Sequence, residues 1–332
     1  MTDTRRLQPF PYTPAPQLVG DIGGTNARLA LADHGVLRPG SIRRIAVAGQ
    51  NGLPAVLRDY MAAQAVSECA GLCLAVAGPV RDGRVEMTNL GWVIEAEALR
   101  DLVPNGPIHL LNDLQAQGHG LDAVLPAHMT TLIAPPAMAE PERALTRLVV
   151  GIGTGFNAAV VHPLAQGVLV PPAEAGHVHL PTQDRDERAF ARSLAARHGL
   201  ATVEEALSGR GLEALHAWTS GATLTAADIA AGLAAGEPAA RQTGALYARL
   251  LGRALGDLAL THLPWGGIYL IGGVARALAP HLPDLGLATA MRQMGRYSAL
   301  MERIGLHLVR DDNAALLGAA RHLETRRGAA AR

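Results

Sequence analysis

Two stretches of this sequence share one design: an apolar run that breaks into glycines with a threonine among them, then resumes as a second apolar run. In the first, Leu18-Val19-Gly20-Asp21 leads to Gly23-Gly24-Thr25-Asn26 and on to Ala27-Arg28-Leu29-Ala30-Leu31. In the second, Leu148-Val149-Val150 leads to Gly151-Ile152-Gly153-Thr154-Gly155 and on to Ala158-Ala159-Val160-Val161. Each reads as strand, tight glycine turn, strand. The second turn is not a dinucleotide fingerprint, because Phe156 stands where the third glycine of G-x-G-x-x-G would fall and an extended run follows it. Two such units about 130 positions apart fit a duplicated domain whose halves each lend one loop to a shared cleft, although glycine-rich hairpins also resemble one another by chance.

Between and after the hairpins, short strands alternate with helices, which favours an α/β sheet. Leu72–Ala77 is strand-like and stops at Gly78-Pro79, and Ile108–Leu111 is a strand ending at Asn112-Asp113. Residues 134–147 read as a surface connection. Thr225 and Asp228 have capping-box spacing ahead of an Ala/Leu helix. From Pro238 to about His262, Leu246, Leu250, Leu251, Leu255 and Leu258 form one apolar helical stripe, expected in the core. Ile268–Ile271 is a strand running into Gly272-Gly273. At 332 residues the chain is long enough for two domains.

The charges exclude several function classes. Lys+Arg and Asp+Glu are both 29, so the basic surplus of a nucleic-acid binder is absent. There is no lysine at all, which removes the Walker A loop, the protein-kinase strand lysine and Schiff-base chemistry. Cys69 and Cys73, the only cysteines, cannot build a disulfide framework or a four-cysteine zinc site. No apolar stretch is long enough for a membrane span. The Pro-rich residues 1–16 are expected to be a flexible extension, and the cytoplasm is the expected compartment.

Asp21 ends a strand beside Gly23, Gly24 and Thr25, which is what a Mg2+ ion carrying phosphates wants: a carboxylate for its water shell, with backbone N–H groups and a hydroxyl for phosphate oxygens. An ordinary hairpin turn would use the same residue types. Gly153, Thr154 and Gly155 form a second candidate phosphate loop, and Gly272-Gly273 could let a nucleoside lie against bare backbone. Asn112-Asp113 sits at a strand end, where α/β proteins place catalytic groups and where an Asp could accept a hydroxyl proton, although a helix cap reads equally well. Glu174, His177 and His179 lie within six positions and suit hydrogen bonds to a polyol better than a metal, while Glu204 alone passes as a solvated helix residue.

Taken in order, these blocks resemble the actin-like ATPase and sugar-kinase superfamily, and more narrowly the bacterial glucokinases of the hexokinase type. GDIGGTNARLAL (20–31) looks like that family's first phosphate hairpin. AVAGPV and MTN..W (75–92), LLNDLQA (110–116), GTGFNAA (153–159), AEAGHV (173–178), EEALSGRGL (204–212), IGGVA (271–275) and DNAALLGAA (312–320) match later blocks in sequence order, over residues 17–325.

The resemblance implies a two-domain α/β fold of the actin-like, ribonuclease H-like duplicated kind with an inter-domain cleft. The small domain would span about 17–123 plus 310–332 and the large one about 124–309. It further implies Asp113 as general base toward a sugar 6-hydroxyl, and Asn112, Asp113, Glu174, His177 and Glu204 as sugar-holding groups. Asp21 would serve Mg2+, through water, and Gly23, Gly24, Thr25, Asn26, Gly153, Thr154, Gly155, Gly272 and Gly273 would hold ATP. The implied partners are a hexose and a nucleotide, with no nucleic acid or membrane, and a homodimer is expected on the same ground.

A kinase of another hexose and a non-catalytic sugar-binding regulator are the alternatives. The cysteine-rich zinc motif of the other bacterial class, the ROK kinases, is absent. Three features depart from the family pattern. Asn157 stands where a further glycine is common, and asparagine is expected to preserve the turn because it tolerates a positive φ better than most residues. Ala173 and Ala175 flank Glu174 where glycine is frequent, which could tighten the sugar pocket. Residues 1–16 fall outside the match.

Overall fold

The backbone of the two glycine hairpins sets the frame for everything else. The computed structural model describes residues 15–87, 90–136 and 144–330. Most of the expected N-terminal extension, and Thr88 and Asn89 of the second motif block, lie outside the described residues. The chain divides into two compact units, 1–111 with 319–332 and 112–318, a division that falls ahead of the expected boundary near 123.

In the first unit β1 (Gln17–Ile22) and β2 (Asn26–Asp33) form the first hairpin, in register from Gln17 opposite Ala32 to Ile22 opposite Ala27. Next come β3 (Val36–Leu37), β4 (Arg43–Ala46), helix α1 (Leu53–Ala63), β5 (Gly71–Val76), the ribbon β6 (Arg84–Met87) and β7 (Trp92–Glu95), and β8 (Ile108–Asn112). The sheet order is β3-β2-β1-β5-β8, with β4 paired to β2 and β5 parallel to β1. Leu18, Ile22, Leu29 and Leu31 share a core with Leu72, Leu74, Val76 and the buried face of α1. The period-2 alternation of β1 puts Asp21 on the opposite face from Leu18 and Ile22. Both cysteines are buried and free, and burial pushes the Cys69 thiol up to about 12.

The second unit opens with α2 (Asp113–Gly120) and β9 (Met129–Ile133), followed by the second hairpin, β10 (Arg147–Ile152) with β11 (Phe156–Pro163), and by β12 (Val168–Leu169). Helices α3 (Arg185–His198), α4 (Val203–Leu207), α5 (Gly209–Ser220), α6 (Ala226–Ala235) and α7 (Pro238–His262) come next. Then follow β13 (Ile268–Ile271), α8 (Gly273–Leu278), α9 (Leu287–Arg292), α10 (Ser298–Met301), β14 (Leu306–Val309) and α11 (Ala314–Ala330), which runs on into the first unit. The sheet order is β12-β11-β10-β13-β14-β9, with β13 parallel to β10, so each hairpin pairs its first strand with a later parallel strand. This is the duplication that the two glycine stretches suggest.

Alternation along β10 feeds two cores. Leu148, Val150 and Ile152 pack with the helices α4 to α7, whereas Val149 packs with Leu114 of α2, Val161, Val170 and Tyr269. The expected capping box forms at Thr225 and Asp228, and α7 has the expected bounds, with Leu246, Leu250, Leu251 and Leu255 buried. Among the described residues no helix is long and apolar enough to cross a membrane.

Helix α2 lies close against the start of α11. A Cβ on Gly318 would overlap the carbonyl of Ala116, and one on Gly120 would overlap that of Ala314. The backbone cannot yield here without moving α2, so Gly318→Ala is expected to cost about 1–3 kcal/mol, the usual penalty of overpacking. A thermal melt checks it: a drop of several degrees is expected, and an unchanged midpoint would mean that the two helices part freely.

Candidate functional site

The strand β8 ends on Asn112, whose extended backbone (φ −63°, ψ 151°) makes it the N-cap of α2. Its Oδ1 accepts from the Leu114 N–H at 2.9 Å, and its own N–H donates to Gln115 Oε1 at 3.1 Å, completing a capping box. Such a cap stabilises a helix end by about 1 kcal/mol. Asp113 follows at the first helical position, and its Oδ1 also accepts from the Leu114 N–H, at 2.8 Å. Gln115 reaches further: its Nε2 donates to the Val170 carbonyl at 2.9 Å, tying the start of α2 to the chain that leads into Glu174.

Glu174 caps a single 3₁₀ turn, Ala175–His177, after a stretch without regular structure. Burial raises the Glu174 carboxyl above its ordinary value, the His177 charge works against that, and the nearby Glu204 carboxylate adds to it. Glu174 therefore stands within electrostatic reach of both His177 and Glu204.

Glu204, on α4, is not a solvated helix residue. Its side chain is only 17% exposed. Its Oε2 accepts from the Phe156 N–H at 2.9 Å and its Oε1 from Arg210 Nη2 at 2.6 Å, which also reaches Glu205 at 3.2 Å. Two glycines make room for it. A Cβ on Gly155 would lie 2.6 Å from Glu204 Oε2, and a Cβ on Gly176 would overlap the Phe156 carbonyl.

The second glycine turn closes through the Gly153 N–H donating to the Gly155 carbonyl at 2.9 Å, and the Gly209 N–H at the start of α5 donates to the Gly153 carbonyl at 2.8 Å. A Cβ on Gly153 would meet nothing within 4 Å, and Thr154 is exposed, so this backbone is open to an approaching group. Gly272, at φ 112°, has the left-handed backbone that glycine takes without strain, and any Cβ there would run into Ile152. Gly273 beside it faces open space. Gly153, Thr154, Gly155, Gly209, Gly272 and Gly273 thus come together around the end of β10.

The expectation that Asn157 helps the turn by taking a positive φ is not met. Among the described residues the non-glycines with such backbone are His34, Ala65, Asp82 and Leu263, and Asn157 lies in the regular strand β11. Its side chain has a different use. Nδ2 donates to the Ala173 carbonyl at 2.8 Å, and Oδ1 accepts from the N–H groups of Ala175 at 2.9 Å and Ala158 at 2.8 Å.

In the first unit, the Gly23 N–H donates to the Asn26 carbonyl at 3.0 Å to close the turn, leaving Gly24 and Thr25 exposed. Asp21 lies opposite Arg28 in the hairpin register, with Arg28 Nη1 at 3.4 Å from Asp21 Oδ2. The Asp21 side chain is 23% exposed. A largely buried carboxylate beside exposed turn backbone fits a hydrated divalent cation carrying phosphates. Among the described residues no group of three or more His, Cys, Asp and Glu could hold a metal by itself.

The paired glycine hairpins, the matching sheets and the polar groups around Glu174 and Glu204 define the sugar-kinase class of the actin-like ATPase fold. Solved structures carry the same backbone: a glucokinase from an Antarctic psychrotroph superposes with a TM-score of 0.79 at 28% identity, over 94% of this chain and 99% of that one. The ROK hexokinase of Thermus thermophilus matches at 0.69 and 21% identity, a likeness of fold alone. The chain belongs to the Glucokinase family, whose model matches residues 18–326. The glucokinase of Marinobacter nauticus is 34% identical over 92% of this chain and 96% of its own length, and that of Chromohalobacter salexigens 32% identical over 93% and 97%.

Reasoning from sequence did not single out Gln115, Arg210 or the side chain of Asn157. All three stand inside the motif blocks given above, which was the available signal.

Burial raises the Asp21 carboxyl above its ordinary value, and the Arg28 charge offsets only part of that. A raised folded value favours the folded chain at pH below the ordinary carboxylate range, and this contribution is lost as pH rises through the raised value. Asp21→Asn is therefore expected to raise the melting temperature at pH 7, by about 1–2 °C, and to bring no gain below about pH 4. Melts at both pH values check it, and a lower midpoint at pH 7 would show that the Arg28 pair outweighs the burial.

Proposed function

We propose that this chain transfers the γ-phosphoryl group of ATP to the 6-hydroxyl of glucose, giving glucose 6-phosphate and ADP. The observation that carries the reading is the family match over residues 18–326, a span that contains every residue of the site. The site chemistry supports it. A sugar offers a ring of hydroxyl donors and acceptors, and Asn112, Glu174, His177 and Glu204 supply an amide, two carboxylates and an imidazole to hold them.

Asp113 accepts the proton of the 6-hydroxyl as the oxygen attacks. Its place in the capped first turn, braced by Asn112 and Gln115, sets its position before substrate arrives. Asp21 would hold a Mg2+ ion through its water shell, with Gly23, Gly24, Thr25 and Asn26 beside it. Gly153, Thr154 and Gly155 would meet phosphate oxygens, and Gly272 and Gly273 the nucleoside. MgATP, when bound, would supply the phosphoryl group, with the Mg2+ charge offsetting the negative charge of the phosphate oxygens. Two fold neighbours hold the same classes of molecule: a glucokinase of Balamuthia mandrillaris was solved with glucose, and a ROK glucokinase of Streptomyces griseus with glucose and AMPPNP. A homodimer and a cytoplasmic location accompany this reading.

The test is ADP release with MgATP across a panel of hexoses. Glucose-dependent turnover is expected, and Asp113→Ala should lower it by about 10²–10⁴-fold, the scale on which a general base acts. Turnover with a different hexose would move the substrate and keep the mechanism. Near-wild-type turnover in the variant would remove Asp113 from its role, and no turnover with any hexose would overturn the function.

A further inference from the structure

We propose that Asn157 is a positioning residue for the hexose: its side-chain amide fixes the backbone on both sides of Glu174 and thereby sets the affinity for the sugar. The proposal rests on the sugar-holding role given to Glu174 above.

Asn157 Nδ2 donates to the carbonyl of Ala173, the residue before Glu174, at 2.8 Å, and its Oδ1 accepts from the N–H of Ala175, the residue after it, at 2.9 Å. One planar amide therefore holds the chain at two points with Glu174 between them. A third bond, from the Ala158 N–H to the same Oδ1 at 2.8 Å, orients the amide on its own strand. Glycine or alanine at 157 would make none of the three.

The held segment has little to support it locally. Residues 171–174 have no regular secondary structure, and Glu174 itself has φ −125° and ψ 58°, outside both the extended and the helical regions. The carboxylates of Glu174 and Glu204 also repel one another, as the upward push of Glu204 on the Glu174 carboxyl shows.

The neighbouring residue makes the arrangement coherent. The Phe156 N–H holds Glu204 at 2.9 Å, so two consecutive residues of β11 fix the two acids, one through its backbone and one through its side chain. Both follow directly on the turn Gly153–Gly155. The strand that leaves the phosphate turn is thus also the ruler that spaces the sugar acids.

The experiment compares the full-length chain with Asn157→Ala and Asn157→Asp. The aspartate keeps the acceptor for the Ala175 N–H but loses the donor to Ala173 and sets a carboxylate against that carbonyl. Hydrogen exchange over residues 173–177 reads the tie directly, and steady-state kinetics with MgATP reads its consequence. Expected in Asn157→Ala is faster exchange in that segment, and expected in both variants is a KM for glucose raised about tenfold, the effect of losing about one good hydrogen bond. The KM for MgATP should stay within about twofold and kcat should change little, the pattern of lost uniform binding.

Unchanged exchange at 173–177, or an unchanged glucose KM in active protein, would overturn this proposal alone. A wild-type chain that turns over no hexose would overturn it together with the function proposed above. If Asn157→Ala fails to fold, the glucose KM of Asn157→Asp carries the test, and an unchanged value in active protein would overturn the proposal.

Discussion

The carboxylate of Glu204 reaches the Phe156 N–H, 2.9 Å away, because two neighbouring residues have no side chain. A Cβ on Gly155 would displace the carboxylate itself, and one on Gly176 would collide with the carbonyl of Phe156. That contact joins α4, the end of the second hairpin and the turn that carries Glu174 and His177. Glu204 Oε2 also lies 2.6 Å from where a Cβ on Gly155, in the second glycine turn, would stand. One hydrogen bond thus brings the turn that carries Glu174 and the second glycine turn to the same place, and it exists only where glycine lets backbone and carboxylate approach closely.

The two hairpins show how one backbone plan serves different ends. Each lies antiparallel to its partner strand and pairs on the other side with a parallel strand, β5 or β13. In the first, the residues that face each other just before the turn are Asp21 and Arg28, a carboxylate with a charge partner. In the second, the equivalent pair in the register is Gly151 and Asn157. Gly151 is small because Leu114 of α2 packs against it, with the nearest Leu114 carbon 2.9 Å from where a Cβ would stand. Its partner Asn157 turns its amide to the loop around Glu174. The first hairpin keeps a carboxylate partly out of water at a cost in stability, and the second uses its polar residue for geometry.

Much of the fold was legible in the sequence because it depends on local patterns. The leucine spacing of α7, the Thr225–Asp228 box, the strand ending at Asn112 and the junction at Gly272-Gly273 are each decided by residues within one or two turns of each other. The site residues were legible only through the order of the motif blocks. Asp113 taken alone reads equally well as a helix residue beside a cap, which it also is. The role expected of Asn157 failed for an instructive reason. A positive φ can be argued from residue type, but the bonds that Asn157 makes are to Ala173 and Ala175, sixteen and eighteen positions on.

Glu204 makes the same point over a longer span, since its partner Phe156 is 48 positions away. The sequence by itself determined that there would be two glycine hairpins, a strand-end Asn-Asp pair, a long buried helix and no lysine for any step. These follow from composition and from periods of 2 and 3.6 residues, which act along the chain. The tertiary structure alone decided that Gln115, Asn157 and Arg210 would brace the groups around the site. Each is a polar side chain that would be equally at home in water. The partner that ties each to the site is supplied by another element, and no local pattern records which group the fold will bring within about 3 Å of it.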